Sequence, residues 1–82
     1  MTAPLPLGAA VRALRVAKGL SVRETAAAAG ISRPQLDRIE RGGGLTVGGP
    51  AAMLERLAAA LGVKASALVR QAEIEARRTT RT

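Results

Sequence analysis

Glycines 19, 30 and 42 set the terms on which this chain can fold, because each sits where a left-handed residue stops a short helical run. The first two lead directly into serines that open the next helix, as Gly19-Leu20-Ser21 and Gly30-Ile31-Ser32. Ser21-Val22-Arg23-Glu24 is a capping box, in which the serine hydroxyl takes the N3 amide and the glutamate returns to the cap's own amide. Ser32-Arg33-Pro34-Gln35 repeats the device, with Pro34 in the first turn, where its missing N–H does no harm. Helices are predicted over 22–29 and 33–41, the first only about two turns long and too short to stand alone.

The flanking segments supply what these helices must pack against. Leu7, Val11 and Leu14 form one apolar stripe of a first helix that Gly19 ends, with Arg12 and Lys18 on its other face. Residues 43–49 read as a glycine-rich loop, flexible by composition, carrying Leu45 and Val47 and no charge. Gly49-Pro50 then opens a fourth helix with Leu54, Leu57, Ala58 and Leu61 inward and Gly62 at its end. A fifth follows from about Lys64 with Ala65, Leu68 and Ala72 inward. Its pattern dissolves over 73–78, and the last four residues are expected to fray. The expected architecture is all-α, a compact five-helix bundle containing a helix-turn-helix. It divides into a flexible N-terminal arm (1–6), a helix-turn-helix domain (7–69), and a C-terminal helix extension with a frayed tail (70–82).

Composition narrows the chemistry. Eighty-two residues, 48% of them hydrophobic, suffice for one small domain. The absence of Cys and His removes disulfides, the usual zinc ligands, a nucleophilic thiol and the best proton carrier at neutral pH, so neither metal nor cofactor is expected. Asp37 and Glu40 point to different arcs of their helix, no general acid and base pair is visible, and an enzyme is not expected. Without aromatic residues there is no platform for stacking single-stranded bases. Thirteen Lys and Arg against six Asp and Glu give +7, and eleven of the thirteen are Arg, the side chain suited to phosphate and base edges. A polyanion is the expected partner. No apolar run is long enough for a membrane span and no signal segment is visible, so the expected place of action is cytoplasmic, and the nucleoid if the polyanion is DNA.

Two capped helices joined by Gly30-Ile31-Ser32 make a helix-turn-helix, in which the first helix crosses the DNA backbone and the second enters the major groove. Here the sequence resembles a family. Val11-Arg12-Ala13-Leu14-Arg15, Lys18-Gly19-Leu20-Ser21, Glu24, Ala26, Gly30-Ile31-Ser32, Leu36, Ile39-Glu40-Arg41-Gly42, Leu61-Gly62-Val63 and Leu68 are similar to the XRE family of phage repressor and Cro proteins, over roughly residues 7 to 69. The resemblance implies a lambda-repressor-like fold and double-stranded DNA as partner. It also implies that Arg15 and Glu40 form a structural pair linking helix 1 to the recognition helix, outside the DNA contact.

On a helical wheel at about 100° per residue, Leu36, Ile39 and Glu40 share one arc with Arg33 at its edge, and Pro34, Asp37, Arg38 and Arg41 take the opposite one. Arg38 is the leading base reader, its fork suited to guanine O6 and N7, against the alternative of a solvated face. Arg33, at the end that meets the groove, reads bases or grips phosphate. Gln35 either contacts DNA or serves its own capping box. Pro34 offers only ring contact with a thymine methyl, a departure from the family's polar residue. Asp37, four residues from both Arg33 and Arg41, either holds those forks toward phosphate or meets a cytosine N4. Phosphate anchoring falls to Arg12, Arg23 and Arg41 and to the helix N-termini at Ser21, Val22 and Ser32. Val22 stands where the family often has Gln, and Thr25 where a core Leu is common.

The family's palindromic sites imply a homodimer. Leu45, Val47, Met53, Val69 and Ile74 are candidates for its seam, or else satellites of the monomer core. The leading expectation is a sequence-specific transcriptional repressor. The alternatives are an antitoxin-type protein that binds DNA and holds a protein partner through its C-terminal segment, and a nonspecific DNA binder with a steep salt dependence.

Overall fold

The computed structural model describes residues 5–43 and 51–80. Its helices are α1 (Leu7–Ala17), α2 (Val22–Ala29), α3 (Arg33–Glu40), α4 (Ala51–Ala60) and α5 (Ala65–Thr80). No strand occurs among the described residues. α1 packs on α3 and α5, α2 on α3 and α4, and α4 on α5.

One device ends the first four helices. Gly19, Gly30, Gly42 and Gly62 adopt φ of 69°, 72°, 101° and 71°. The residue after each sends its N–H back to a carbonyl in the helix's last turn: Leu20 to Arg15, Ile31 to Ala26, Gly43 to Arg38 and Val63 to Ala58, at 2.9–3.0 Å. This is the Schellman ending, whose usual companion is an apolar contact from the same residue. Leu20, Ile31 and Val63 supply that contact by packing against the core. The pair of glycine and apolar residue therefore both stops the helix and turns the chain inward.

With no aromatic residue to fill space, the core is built from leucine and alanine. Leu7, Val11, Leu36, Leu57, Leu61 and Leu68 are fully enclosed, and Ala10, Ala26, Ala29, Ala58 and Ala72 are buried among them. Gly8 takes that economy further. A Cβ added to it would run into the carbonyl of Ile39, so α1 crosses α3 at backbone distance. Thr25 is buried on the inner side of α2, and its Oγ1 has no hydrogen-bond partner among the described residues.

One expectation about the chain's ends changes. The N-terminal arm was expected to reach residue 6, but Leu5 packs against the core and its carbonyl accepts the Leu7 N–H at 2.8 Å. Position 5 carries a leucine that gains by burial, which the prolines on either side obscured. The apolar stripe of α5 ends near Ala72, while the helix itself runs on to Thr80. Gln71 Nε2 donates to Glu75 Oε2 at 2.8 Å and Arg78 NH1 approaches the same oxygen at 3.5 Å, contacts one turn apart that support a helix without an apolar stripe. Arg77 and Arg78 also lie in its last turn, where cations complement the helix dipole. The expected Gly49-Pro50 start of α4 lies outside the described residues.

Candidate nucleic-acid interface

The two helices of the motif open differently. At α2 the capping box is complete: Glu24 N donates to Ser21 Oγ at 2.9 Å and Ser21 N donates to Glu24 Oε1 at 2.9 Å. Those bonds, the backbone one foremost, hold the Glu24 carboxyl below the ordinary glutamate range. At α3 only half of it forms. Gln35 N donates to Ser32 Oγ at 3.2 Å, and the Gln35 side chain makes no return bond among the described residues. Exposed and unengaged, Gln35 is available to a ligand.

α3 buries Leu36 and Ile39 and turns Arg33, Pro34, Gln35 and Arg38 to solvent, with Arg41 exposed at its cap. Arg12 on α1 and Arg23 in the first turn of α2 are exposed too, as are Ser21 and Ser32 at the caps. None of these five arginines forms an ion pair among the described residues. Gly43 runs beside the Arg38 stem, since a Cβ there would lie 3.0 Å from Arg38 Cγ. Arg38 thus leaves the helix along a backbone wall.

Asp37 departs from expectation. It makes no ion pair with Arg33 or Arg41 among the described residues. Instead it lines a cleft of about 240 Å³ with Arg12, Arg15, Val22, Glu40 and Arg41, and its charge helps to raise the Arg15 pKa. Helical spacing permits an Asp–Arg pair but does not require one. Val22 fills the same cleft with an apolar side chain and packs partly on the core.

Arg15 and Glu40 close the back of this junction. Arg15 Nε lies 2.7 Å from Glu40 Oε2 and its NH2 3.1 Å from Oε1, while NH1 donates to Leu20 O at 2.9 Å. The bond to Glu40 raises the Arg15 pKa above its ordinary value, against the opposing effect of burial. The α1–α2 turn and the C-terminal end of α3 are thereby tied to one side chain.

Sequence reading passed over Arg56. Its Nε donates to Ala29 O at 2.9 Å and its NH2 to Gly30 O at 2.8 Å, so a side chain of α4 grips the end of α2. A signal did exist: α2 has no basic residue in its last turn, which leaves its terminal carbonyls to be satisfied from elsewhere.

Of the residues considered for a dimer seam, three lie among the described residues. Met53 and Val69 pack partly on the monomer core, whereas Ile74 lines a cleft of about 390 Å³ between α1 and α5 with Leu14 and Ala67. Leu45 and Val47 lie outside the described residues. Among the described residues no cluster of acidic side chains could hold a metal, and no helix is long and apolar enough to cross a membrane.

Two short capped helices joined at a glycine, the second with a locked inner side and an uncompensated arginine-rich outer side, define a helix-turn-helix DNA-binding protein of the transcription-regulator class. The chain belongs to the helix-turn-helix domain family, whose model matches residues 6–72. It is similar to the clp gene regulator ClgR from Corynebacterium glutamicum, with 31% identity and a TM-score of 0.77 over 87% of this chain and 88% of that one. It is also similar to the restriction-modification controller protein C.AhdI from Aeromonas hydrophila, with 31% identity and a TM-score of 0.69 over 78% and 92% of the two chains. A third similarity is to SinR, the master regulator for biofilm formation, in a structure with DNA, with 32% identity and a TM-score of 0.64 over 77% and 97%. These neighbours are XRE-type regulators rather than enzymes, as the residue pattern implied. Among curated proteins none matches the chain.

Proposed function

We propose that the protein is a sequence-specific transcriptional repressor that binds a palindromic operator as a homodimer, with α3 in the major groove. The observation that carries this is the outer side of α3, where Arg33, Gln35 and Arg38 are exposed and have no side-chain partner among the described residues, while Leu36 and Ile39 anchor the inner side. Arg33, Gln35 and Arg38 read base edges and the Pro34 ring meets a thymine methyl. Arg12, Arg23 and Arg41 hold phosphate together with the N-terminal amides at Ser21, Val22 and Ser32. Asp37 acts at the α1–α3 junction, near Arg41 and Arg12, and orients those phosphate contacts. SinR, a relative of similar fold, crystallises in complex with DNA, which supports the assignment.

A single recognition helix of eight residues reads one short half-site, and a two-fold pair doubles the sequence read and makes the second contact intramolecular, which raises affinity far more than twofold. Occupation of the operator suffices to block transcription, a mode of action that requires no surface beyond those described. On this reading the protein works in the cytoplasm, on the nucleoid. Selection of bound duplexes from a random pool tests it, with sedimentation of the complex to count protomers. Enrichment of a palindrome with half-sites about one helical turn apart, occupied by two chains, is the expected result. An unenriched pool with affinity that collapses in salt would instead identify a nonspecific binder.

A further inference from the structure

The carbonyls that Arg56 grips are those at which α2 ends and the turn into α3 begins. Carbonyls at a helix end lack intrahelical donors and carry the negative pole of the helix, so a guanidinium fork satisfies two needs together. Gly30 is left-handed, with φ of 72°, and a Cβ added there would lie 2.7 Å from Arg56 NH2. Glycine at this position therefore makes the turn and leaves room for the fork.

We propose that Arg56 is a positioning residue for DNA reading, which from α4 fixes the turn Gly30-Ile31-Ser32 and with it the angle at which α3 meets the groove. This rests on the reading of α3 as the base-reading helix. α3 has few supports: Leu36 and Ile39 set its depth, and Glu40 ties its C-terminal end to Arg15. A short helix held in the middle and at one end can still pivot, and the end left free would be the one that carries Arg33, Pro34 and Gln35. The Arg56 fork closes that freedom through the turn just before Arg33. Displacement of about 1 Å is enough to spoil a contact that depends on a bidentate geometry. Two guanidiniums from the neighbouring helices, Arg15 of α1 and Arg56 of α4, thus bracket the recognition helix.

The test compares the full chain with Arg56→Ala and Arg56→Lys, on the selected operator and on a scrambled duplex, over a series of salt concentrations and at a temperature where circular dichroism shows each variant folded. Lysine keeps the charge but cannot present two donors in a fixed fork. The expected result is a fall of about tenfold in the preference for operator over scrambled duplex in Arg56→Ala, with incomplete recovery in Arg56→Lys. The salt slope on scrambled DNA stays as in the wild type, since no phosphate contact is removed. Equal losses on both duplexes with a slope lower by about 0.9 would make Arg56 a phosphate contact and overturn the proposal. An unchanged preference in Arg56→Ala, or full restoration by lysine, would overturn it as well. Amide exchange in the free protein adds a readout that needs no operator. Ile31 and Leu36 should exchange faster in Arg56→Ala while α1 keeps its protection, whereas uniform acceleration would reduce Arg56 to general stability. Should the wild type select no operator, the repressor reading fails, and exchange still decides whether Arg56 holds the turn.

Discussion

Arg15 and Glu40, 25 positions apart in sequence, meet in two parallel N–H···O contacts of 2.7 and 3.1 Å, with side chains only 13% and 8% exposed. A pair so sheltered behaves as a unit, because removing one partner strands the other charge away from water. Glu40→Ala should therefore cost about 3 kcal/mol and lower the melting temperature by roughly 12–24 °C. Joint replacement as Arg15→Met with Glu40→Leu should recover most of that loss. Thermal unfolding of the two singles and the double decides it. Additive losses would mean that the residues act separately.

Gly8 makes the second prediction. Its Cβ position is occupied by the Ile39 carbonyl, which is backbone and cannot swing aside. Gly8→Ala should thus destabilise the fold by about 1–3 kcal/mol through separation of α1 and α3, although alanine is the better helix former by up to about 1 kcal/mol. Urea unfolding measures the balance. A midpoint that moves upward would show that helix propensity wins and that the α1–α3 contact tolerates a methyl.

Thr25 offers a change in the opposite direction. Its Oγ1 is buried without a partner among the described residues, so the hydroxyl left water with no protein group there to replace it. Thr25→Val keeps the branched shape and should raise stability by about 1 kcal/mol or more, seen as a higher urea midpoint with an unchanged m-value. A loss of stability would reveal that the hydroxyl has a bound water.

These positions separate what the chain discloses locally from what it does not. The Ser21 box and the glycine endings involve partners within five residues, so spacing alone announces them. Arg15 and Glu40 came from a family likeness, since nothing in the spacing of either points to the other. Arg56 binds carbonyls 26 and 27 positions away, and no rule of one helix gives its register against another. The same limit explains Asp37, read from its own helix as a partner of Arg33 and Arg41, whereas it lines a cleft shared with the neighbouring helix. Gly8 was legible in principle, because a glycine inside an apolar helical stripe carries a propensity cost that calls for a packing reason. α5 exceeded its apolar pattern because contacts along one helix face, as between Gln71 and Glu75, leave no mark in hydrophobic periodicity.

Glu24 should make stability depend on pH at the acid end. Its carboxyl is held below the ordinary range by the Ser21 amide and hydroxyl. A group depressed in the folded state contributes stability above its unfolded value and loses it as pH falls through the folded one. The loss should begin below about pH 4.3. Glu24→Gln retains an acceptor for the Ser21 amide but cannot titrate, so its acid limb should be flatter than that of the wild type in pH-dependent urea unfolding. Superimposable limbs would assign the acid loss to other carboxylates.

Substitution of Arg38 and of Arg41 should separate base reading from phosphate anchoring on a single short helix and its cap. Both are exposed, and neither has an ion-pair partner among the described residues. Arg38 differs in its surroundings: its stem runs beside Gly43, which restricts the directions its fork can take. A guided fork suits a fixed pair of acceptors such as guanine O6 and N7, whereas Arg41, at the cap beside the polar cleft, needs only to find a phosphate. Arg38→Ala should cost about 1–3 kcal/mol on the operator and relax the choice of base at one position of each half-site. Arg41→Ala should weaken binding to all duplexes alike and lower the salt slope by about 0.9 for each site lost. Competition against a panel of singly altered operators, repeated at two salt concentrations, reads both effects together. If Arg38→Ala lowers every affinity equally and reduces the slope, Arg38 belongs with the phosphate contacts, and base discrimination falls to Arg33 and Gln35.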